Sequence, residues 1–206
     1  MENVALVLWA VFGLLAVVVP VGLQLRRTGS TGFKGLSGRP GSLDRLAGGG
    51  LVLAIALGVI APQVAKSGDL EPIGPLDHGW VHAIGIALFA VGLTTIVFSQ
   101  QWMGRSWRIG VDEQERTELV STGPFAVVRN PIYAGMIAAV LGLGLLVPNV
   151  LSVASVALLL TALEVQTRLV EEPYLLRVHG ESYGNWASRT GRFLPGVGRL
   201  VKRPAG

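Results

Sequence analysis

Arg129-Asn130-Pro131-Ile132-Tyr133-Ala134-Gly135 opens an apolar hairpin that turns at Pro148-Asn149, and Arg168-Leu169-Val170-Glu171-Glu172-Pro173-Tyr174-Leu175 closes it. The reading of this stretch, residues 119–183, decides the fold. The two arms, 131–147 and 150–170, are continuous apolar runs, and their polar ends lie on the same side of the turn. Ionisable groups bordering a membrane are costly unless something binds them, so they read as a functional site by default.

Three further apolar runs precede the hairpin, at 4–25, 46–64 and 80–98. Each approaches the ~20 residues that a spanning helix needs. The first carries Glu2 rather than a basic cluster and has no small-x-small site before Arg26, so it reads as a span and not as a signal peptide. Pro20 is expected to kink this helix without ending it. Residues 28–50, with Lys34, Arg39, Arg45 and Gly48-Gly49-Gly50, read as a basic, glycine-rich connector. Ser42 or Asp44 is placed to cap the next helix. Residues 66–79 read as an exposed loop, and Trp80 as an interfacial anchor. Residues 99–130 read as a polar surface segment. It contains the patch Gln101-Trp102-Met103-Gly104-Arg105-Ser106-Trp107-Arg108-Ile109-Gly110, then Asp112, Glu113, Glu115, Arg116 and Glu118. Asn130 is expected to cap a helix that starts at Pro131. At 1.5 Å per residue the 131–147 arm reaches only about 25 Å, so it either crosses a thin region or re-enters. The tail from Glu171 reads as a helix followed by a loose terminus.

The expectation is an all-α integral membrane protein of about five transmembrane helices, with a C-terminal helical hairpin and a cytoplasmic cofactor-binding tail. It forms a single domain over 1–206: a three-span scaffold (1–100) and a catalytic region with the hairpin (101–206). Composition agrees. Of 206 residues, 50% are hydrophobic and 15% charged, against about a quarter charged in soluble domains. Mean hydropathy is +0.55. With the N-terminus outside, every Arg and Lys except Lys66 falls on the inner side, as the positive-inside rule requires. The net charge of +4 is therefore explained by orientation, and nucleic-acid binding is not indicated. The absence of cysteine excludes disulfides, thiolate metal sites and cysteine nucleophiles. His78 and His82 lack a third ligand, so no metal site is expected. No glycine-loop unit of the dinucleotide-binding type occurs.

Two constellations carry chemistry. Glu164, Arg168, Glu171, Glu172 and Leu175 fall at helical offsets on one face. They are either ion pairs at a helix end or a site for a zwitterionic or sulfonium ligand, with arginine gripping a carboxylate and glutamate meeting a cation. Arg129-Asn130-Pro131-x-Tyr133-x-Gly135 is either a capped helix start or an anion site built on exposed N–H groups, with Gly135 allowing close helix or ligand approach. Trp102 and Trp107 read as interfacial anchors, with stacking on a purine as the alternative. His179 reads as structural.

These residues together resemble the isoprenylcysteine carboxyl methyltransferase family, integral-membrane enzymes related to the phospholipid methyltransferases. The resemblance rests on Leu119-Val120-x-x-Gly123-Pro124-Phe125-x-x-x-Arg129-Asn130-Pro131-x-Tyr133-x-Gly135, then Arg168-x-x-Glu171-Glu172-x-x-Leu175, Gly180-x-x-Tyr183 and Phe193-Leu194-Pro195. It covers about 103–195. Two positions depart: the family usually has His at Asn130 and commonly Tyr at Phe125. An amide supplies hydrogen bonds but cannot carry charge.

The resemblance implies S-adenosylmethionine as cofactor and a lipophilic or prenylated acceptor arriving from the membrane lipid. It places Leu119, Val120, Gly123, Pro124, Phe125, Arg129, Asn130, Pro131, Tyr133, Gly135, Glu171 and Tyr183 at the cofactor, and Arg168 and Glu172 at the chemistry. An acceptor carboxylate, with a reference pKa of about 4, is already ionised and needs no base. Arg168 would orient that carboxylate or the cofactor's own, and Glu171 and Glu172 would bind cofactor amine or ribose groups. With an amine acceptor, one of the glutamates would be the base. The rival readings are a sterol-type reductase using a nicotinamide cofactor and a non-enzymatic membrane scaffold.

Overall fold

The computed structural model describes residues 1–31, 41–104, 107 and 119–201. Lys34 and Arg39 of the connector, and Arg105, Arg108, Asp112, Glu113, Glu115, Arg116 and Glu118 of the polar segment, lie outside them. The regular structure among the described residues is helical, with one isolated parallel bridge between Val128 and Gly191. The helices are α1 (Glu2–Thr28), α2 (Leu43–Ser67), α3 (Gly79–Met103), the single turn α4 (Pro124–Val127), α5 (Pro131–Leu146), α6 (Val150–Val165) and α7 (Glu172–Ala187). A π-helical turn, Gln166–Glu171, joins α6 to α7, so Val150–Ala187 is one continuous rod.

Among the described residues, four helices are long and apolar enough to cross a membrane: α1, α2, α3 and the Val150–Ala187 rod. The protein is thus a multi-pass membrane protein. The hairpin's first arm, α5, has 16 residues and is shorter than a full span.

Pro20 lies inside α1, directly after a π-helical turn at Leu14–Val18, and the helix continues to Thr28. Proline has no N–H, so the carbonyl of Ala16 loses its helical donor. Gln100 of α3 replaces it, its buried amide donating to Ala16 O at 2.9 Å. The connector ends earlier than its composition suggests. Ser42 caps α2, accepting from Arg45 N at 3.3 Å, and Gly48, Gly49 and Gly50 are helical. At Gly50 the helix packs closely on α6: a Cβ there would sit 3.3 Å from that of Ala162, and Ser155 Oγ donates to Ala54 O at 2.7 Å.

The tightest pairing is α3 against α5. Gly85 faces Gly142, and Gly92 faces Gly135; a Cβ on Gly92 would meet Gly135 O at 2.5 Å, and one on Gly135 would meet Gly92 O at 2.6 Å. Both pairs repeat after seven residues, one heptad, in antiparallel register. Small residues let backbones touch where lipid supplies no hydrophobic drive between helices. This contact fixes α5, and with it the hairpin's polar end, on the longer α3.

At the far end, the hairpin turn is pinned by Asn149, which caps α6 through Ser152 N (3.0 Å) and donates to Ala61 O (3.2 Å). Pro148 O accepts from Ile73 N at 2.6 Å.

Candidate functional site

The polar end of the bundle gathers the end of α1, the start of α2, the end of α3, the start of α5, and the π turn with α7. Its centre is Glu172, which is buried. Arg129 Nη2 donates to Glu172 Oε1 at 2.6 Å. Arg192 adds Nε to Oε1 at 2.8 Å and Nη2 to Oε2 at 3.1 Å. Charge-assisted bonds of this kind are roughly twice as strong as neutral ones. The carboxylate raises the Arg192 guanidinium above its ordinary value through these bonds, so Arg192 stays charged at every working pH.

Arg129 is also spent on backbone. It donates through Nη1 to Ala187 O at 2.9 Å and to Thr190 O, and through Nη2 to Gly198 O at 2.9 Å. Main-chain bonds from Arg129 N to Gly191 O (2.8 Å) and from Asn130 N to Arg192 O (3.0 Å) complete the clasp. The chain after α7 is therefore held as far as Leu200, whose N–H donates to Ala187 O at 3.0 Å, and Arg129 supplies donors to the carbonyls of Ala187, Thr190 and Gly198.

A second cluster surrounds Glu171. Tyr133 OH donates to Glu171 Oε1 at 2.6 Å. Gln166 Nε2 reaches the same oxygen at 3.4 Å and Asp44 Oδ1 of α2 at 3.2 Å. The first turns of α2 and α5 and the π turn thus meet over two carboxylates, an amide and a phenol.

The stripe expected on one helix face is split. Hydrogen bonds i→i+5 widen the π turn, and residues beyond it are rotated away from their α-helical positions. Arg168 consequently points outward, its side chain 60% exposed, with Glu164 as its neighbour at 3.6 Å. Glu172 turns inward, and its partners are Arg129 and Arg192 instead of Arg168.

Leu119 and Val120 are half-buried coil. Gly123 has φ 58°, where a side chain is strained, and the Trp102 ring covers the space a Cβ would need. Pro124 opens α4, and the carbonyl of buried Phe125 accepts from Trp186 Nε1 at 3.2 Å. Asn130 occupies the cap position of α5 but makes no side-chain cap bond; its amide lies 3.4 Å from Arg192 O, because the clasp holds it there. Pro131 is buried as the first residue of α5. Of the two uses open to Gly135, the structure shows close helix approach. Tyr183 is buried, edge-on to Trp186 at 5.6 Å between centroids. Trp102 is 47% exposed, whereas Trp107 is 3% exposed and is no surface anchor. His82 pairs with Asp77 at 3.1 Å at the opposite end of the bundle. Among the described residues, no group of three or more His, Cys, Asp or Glu is placed to hold a metal ion.

Sequence reasoning missed Arg192, Asp44 and Gln166 as members of these clusters. Arg192 immediately precedes Phe193-Leu194-Pro195, and that adjacency was the available signal. Asp44 and Gln166 carried none beyond their helical positions.

Fold and site define a helical membrane protein whose buried polar groups converge at one end of a short hairpin. The phospholipid methyltransferase family model matches residues 80–182, half of the chain. The chain belongs to this family of membrane methyltransferases. It is 29% identical over 120 residues to the nickel-cobalt-cadmium resistance protein NccN of Alcaligenes xylosoxydans xylosoxydans, covering 58% of this chain and 54% of the relative. It is 25% identical over 126 residues to protein-S-isoprenylcysteine O-methyltransferase B of Arabidopsis thaliana, covering 60% and 64%. The matched segments span less than two thirds of either relative. No solved structure matches the chain.

Proposed function

We propose that the protein transfers a methyl group from S-adenosylmethionine to a lipophilic acceptor, and that the acceptor atom is a carboxylate oxygen, as in a prenylated cysteine or a related lipid acid. The carrying observation is the cluster of Tyr133, Glu171 and Gln166 beside the start of α5, within the segment that the methyltransferase family model matches, with Asp44 of α2 joining it from outside that segment.

The chemistry of that cluster fits the cofactor. An α-ammonium and ribose hydroxyls need acceptors, which Glu171 and Asp44 supply, and Tyr133 fixes the Glu171 carboxylate through its hydroxyl. Leu119, Val120, Gly123, Pro124 and Phe125 form the adjoining wall. Arg129, Asn130, Pro131, Gly135 and Tyr183 hold that wall to α7 and α3. When bound, S-adenosylmethionine supplies an electrophilic methyl on a sulfonium.

The residues have little proton work to do. An acceptor carboxylate attacks with its own electron pair, the carbon–sulfur bond breaks towards sulfur, and no proton needs removal. Alignment and exclusion of water supply the acceleration. Arg168 is the arginine suited to grip the incoming carboxylate, since both Nη atoms of the buried Arg129 are taken by Glu172 and three carbonyls while Arg168 stands exposed beside Glu164 at 3.6 Å. Glu172, its oxygens taken by two guanidiniums, positions rather than reacts. With an amine acceptor, Glu171 would be the base. The polar end faces the cytoplasm in this reading, from the one-sided distribution of arginine.

The test is ligand-dependent stability in detergent. A ligand that binds only the folded state raises Tm by mass action. S-adenosylmethionine and its demethylated product should raise it, and a nicotinamide dinucleotide should not. The converse pattern would favour a reductase, and no shift with either would favour a scaffold.

A further inference from the structure

We infer that Glu164 is a positioning residue for the methyl acceptor: it ties the exposed Arg168 to the buried Arg192–Glu172–Arg129 network and so sets the guanidinium that the acceptor carboxylate meets. The inference rests on the reading of Arg168 given above and adds the residue that holds Arg168 in place.

Glu164 lies near the end of α6, one turn before Arg168. Its Oε2 is 3.6 Å from Arg168 Nε and 3.6 Å from Arg192 Nη1. The side chain as a whole is 42% exposed, yet Oε2 is buried and makes no hydrogen bond. One shielded oxygen therefore stands between two guanidiniums. An exposed helical ion pair on its own contributes little, because water screens it and two long side chains must be ordered to make it. Arg192 alters that balance. Its side chain is 10% exposed, and Nε and Nη2 are taken by Glu172. Nη1 lies against Gly198, where a Cβ would meet it at 3.1 Å. This cation is fixed whether or not Glu164 approaches, so only Glu164 and Arg168 are left to order.

Along Arg168, Glu164, Arg192, Glu172 and Arg129 the charges alternate, three cations against two anions. Arg129, at the inner end, is buried and donates to three carbonyls. Arg168, at the outer end, is exposed, and its ion pair among the described residues runs through Nε. An incoming carboxylate at its Nη atoms continues the alternation. Glu164 and that carboxylate also repel each other. Water and salt screen the repulsion at an exposed site, whereas an untethered arginine loses much rotamer freedom on gripping its ligand. Tethering is the larger effect.

The test reads the carboxylate alone. Full-length protein in lipid bilayers, without S-adenosylmethionine, is titrated calorimetrically with the free acid of a prenylcysteine and with its methyl ester. The ratio of the two affinities isolates the grip on the carboxylate, since a defect in folding or in prenyl binding weakens acid and ester alike. Wild type should prefer the acid, and Arg168→Lys should lose most of that preference. Glu164→Gln should lower the ratio about three- to tenfold, as coupled groups in one network do, and should have little further effect in the Arg168→Lys background. An intact or stronger preference in Glu164→Gln, or full additivity of the two variants, would overturn the positioning role and leave Arg168 at the acceptor. A wild type that binds acid and ester alike would overturn the reading of Arg168 itself, and the role of Glu164 with it.

Discussion

Glu172 Oε1 accepts from Arg129 Nη2 at 2.6 Å, across 43 residues of sequence. Arg192 holds the other side of the same carboxylate, so one buried anion ties the entry to the hairpin, the start of α7 and the C-terminal segment. Breaking a buried pair by removing one partner strands the other charge and costs about 3–5 kcal/mol. Glu172→Gln should therefore lower Tm sharply in detergent and expose the segment after Ala187 to limited proteolysis. Unchanged Tm and protection would refute the clasp.

The contact of Gly92 with Gly135 sets a second expectation. A Cβ on Gly92 would meet Gly135 O at 2.5 Å and Ala139 N at 2.6 Å, both backbone atoms that cannot swing aside. Overpacking of this kind costs about 1–3 kcal/mol. Gly92→Ala should lose that stability, while Gly49→Ala, with nothing within 4 Å of its Cβ, should gain slightly from helix propensity. Thermal melts of the two variants side by side check the sign; equal Tm values would contradict the packing.

Tyr133→Phe removes the hydroxyl that fixes Glu171. A net hydrogen bond is worth about 0.5–1.5 kcal/mol, so affinity for the demethylated cofactor should fall about two- to tenfold with little change in Tm. Calorimetric titration reads this directly. Wild-type affinity in the variant would remove Tyr133 and Glu171 from the cofactor site.

Topology follows from arginine placement. A reporter fused after Gly206 should be active only in the cytoplasm. Activity confined to the outer face would reverse the orientation and, with it, the side from which cofactor arrives.

Much of this was legible because lipid imposes period and length together. The runs at 4–25, 46–64 and 80–98 became α1, α2 and α3, and Pro131 and Asn149 marked the hairpin's two starts. Gly48-Gly49-Gly50 misled because glycine is read as loop, whereas all three are helical and Gly50 packs against Ala162. The stripe misled for a different reason. Offsets of three and four assume an α-helix throughout, and the π turn at Gln166–Glu171 breaks that assumption without a composition signal. The clasp of Arg129 was hidden because its partners are mostly backbone carbonyls, and no side-chain pattern announces those. Seven-residue glycine spacing in α3 and α5 was visible, but its meaning depends on the two helices being neighbours.

Arg168 carries the central claim. Arg168→Lys keeps the charge, and at a 60% exposed position beside Glu164 it should keep the fold. Lysine cannot copy the planar fork that grips a carboxylate. Such a bidentate contact is worth about 1.5–3 kcal/mol, or roughly ten- to a hundredfold in rate. The decisive measurement is transfer of labelled methyl from S-adenosylmethionine to a prenylcysteine carboxylate by purified protein in lipid bilayers, wild type against Arg168→Lys. The account predicts transfer by the wild type and a ten- to a hundredfold loss in the variant at unchanged Tm. No transfer by well-folded wild type, or a variant as active as the wild type, would contradict it.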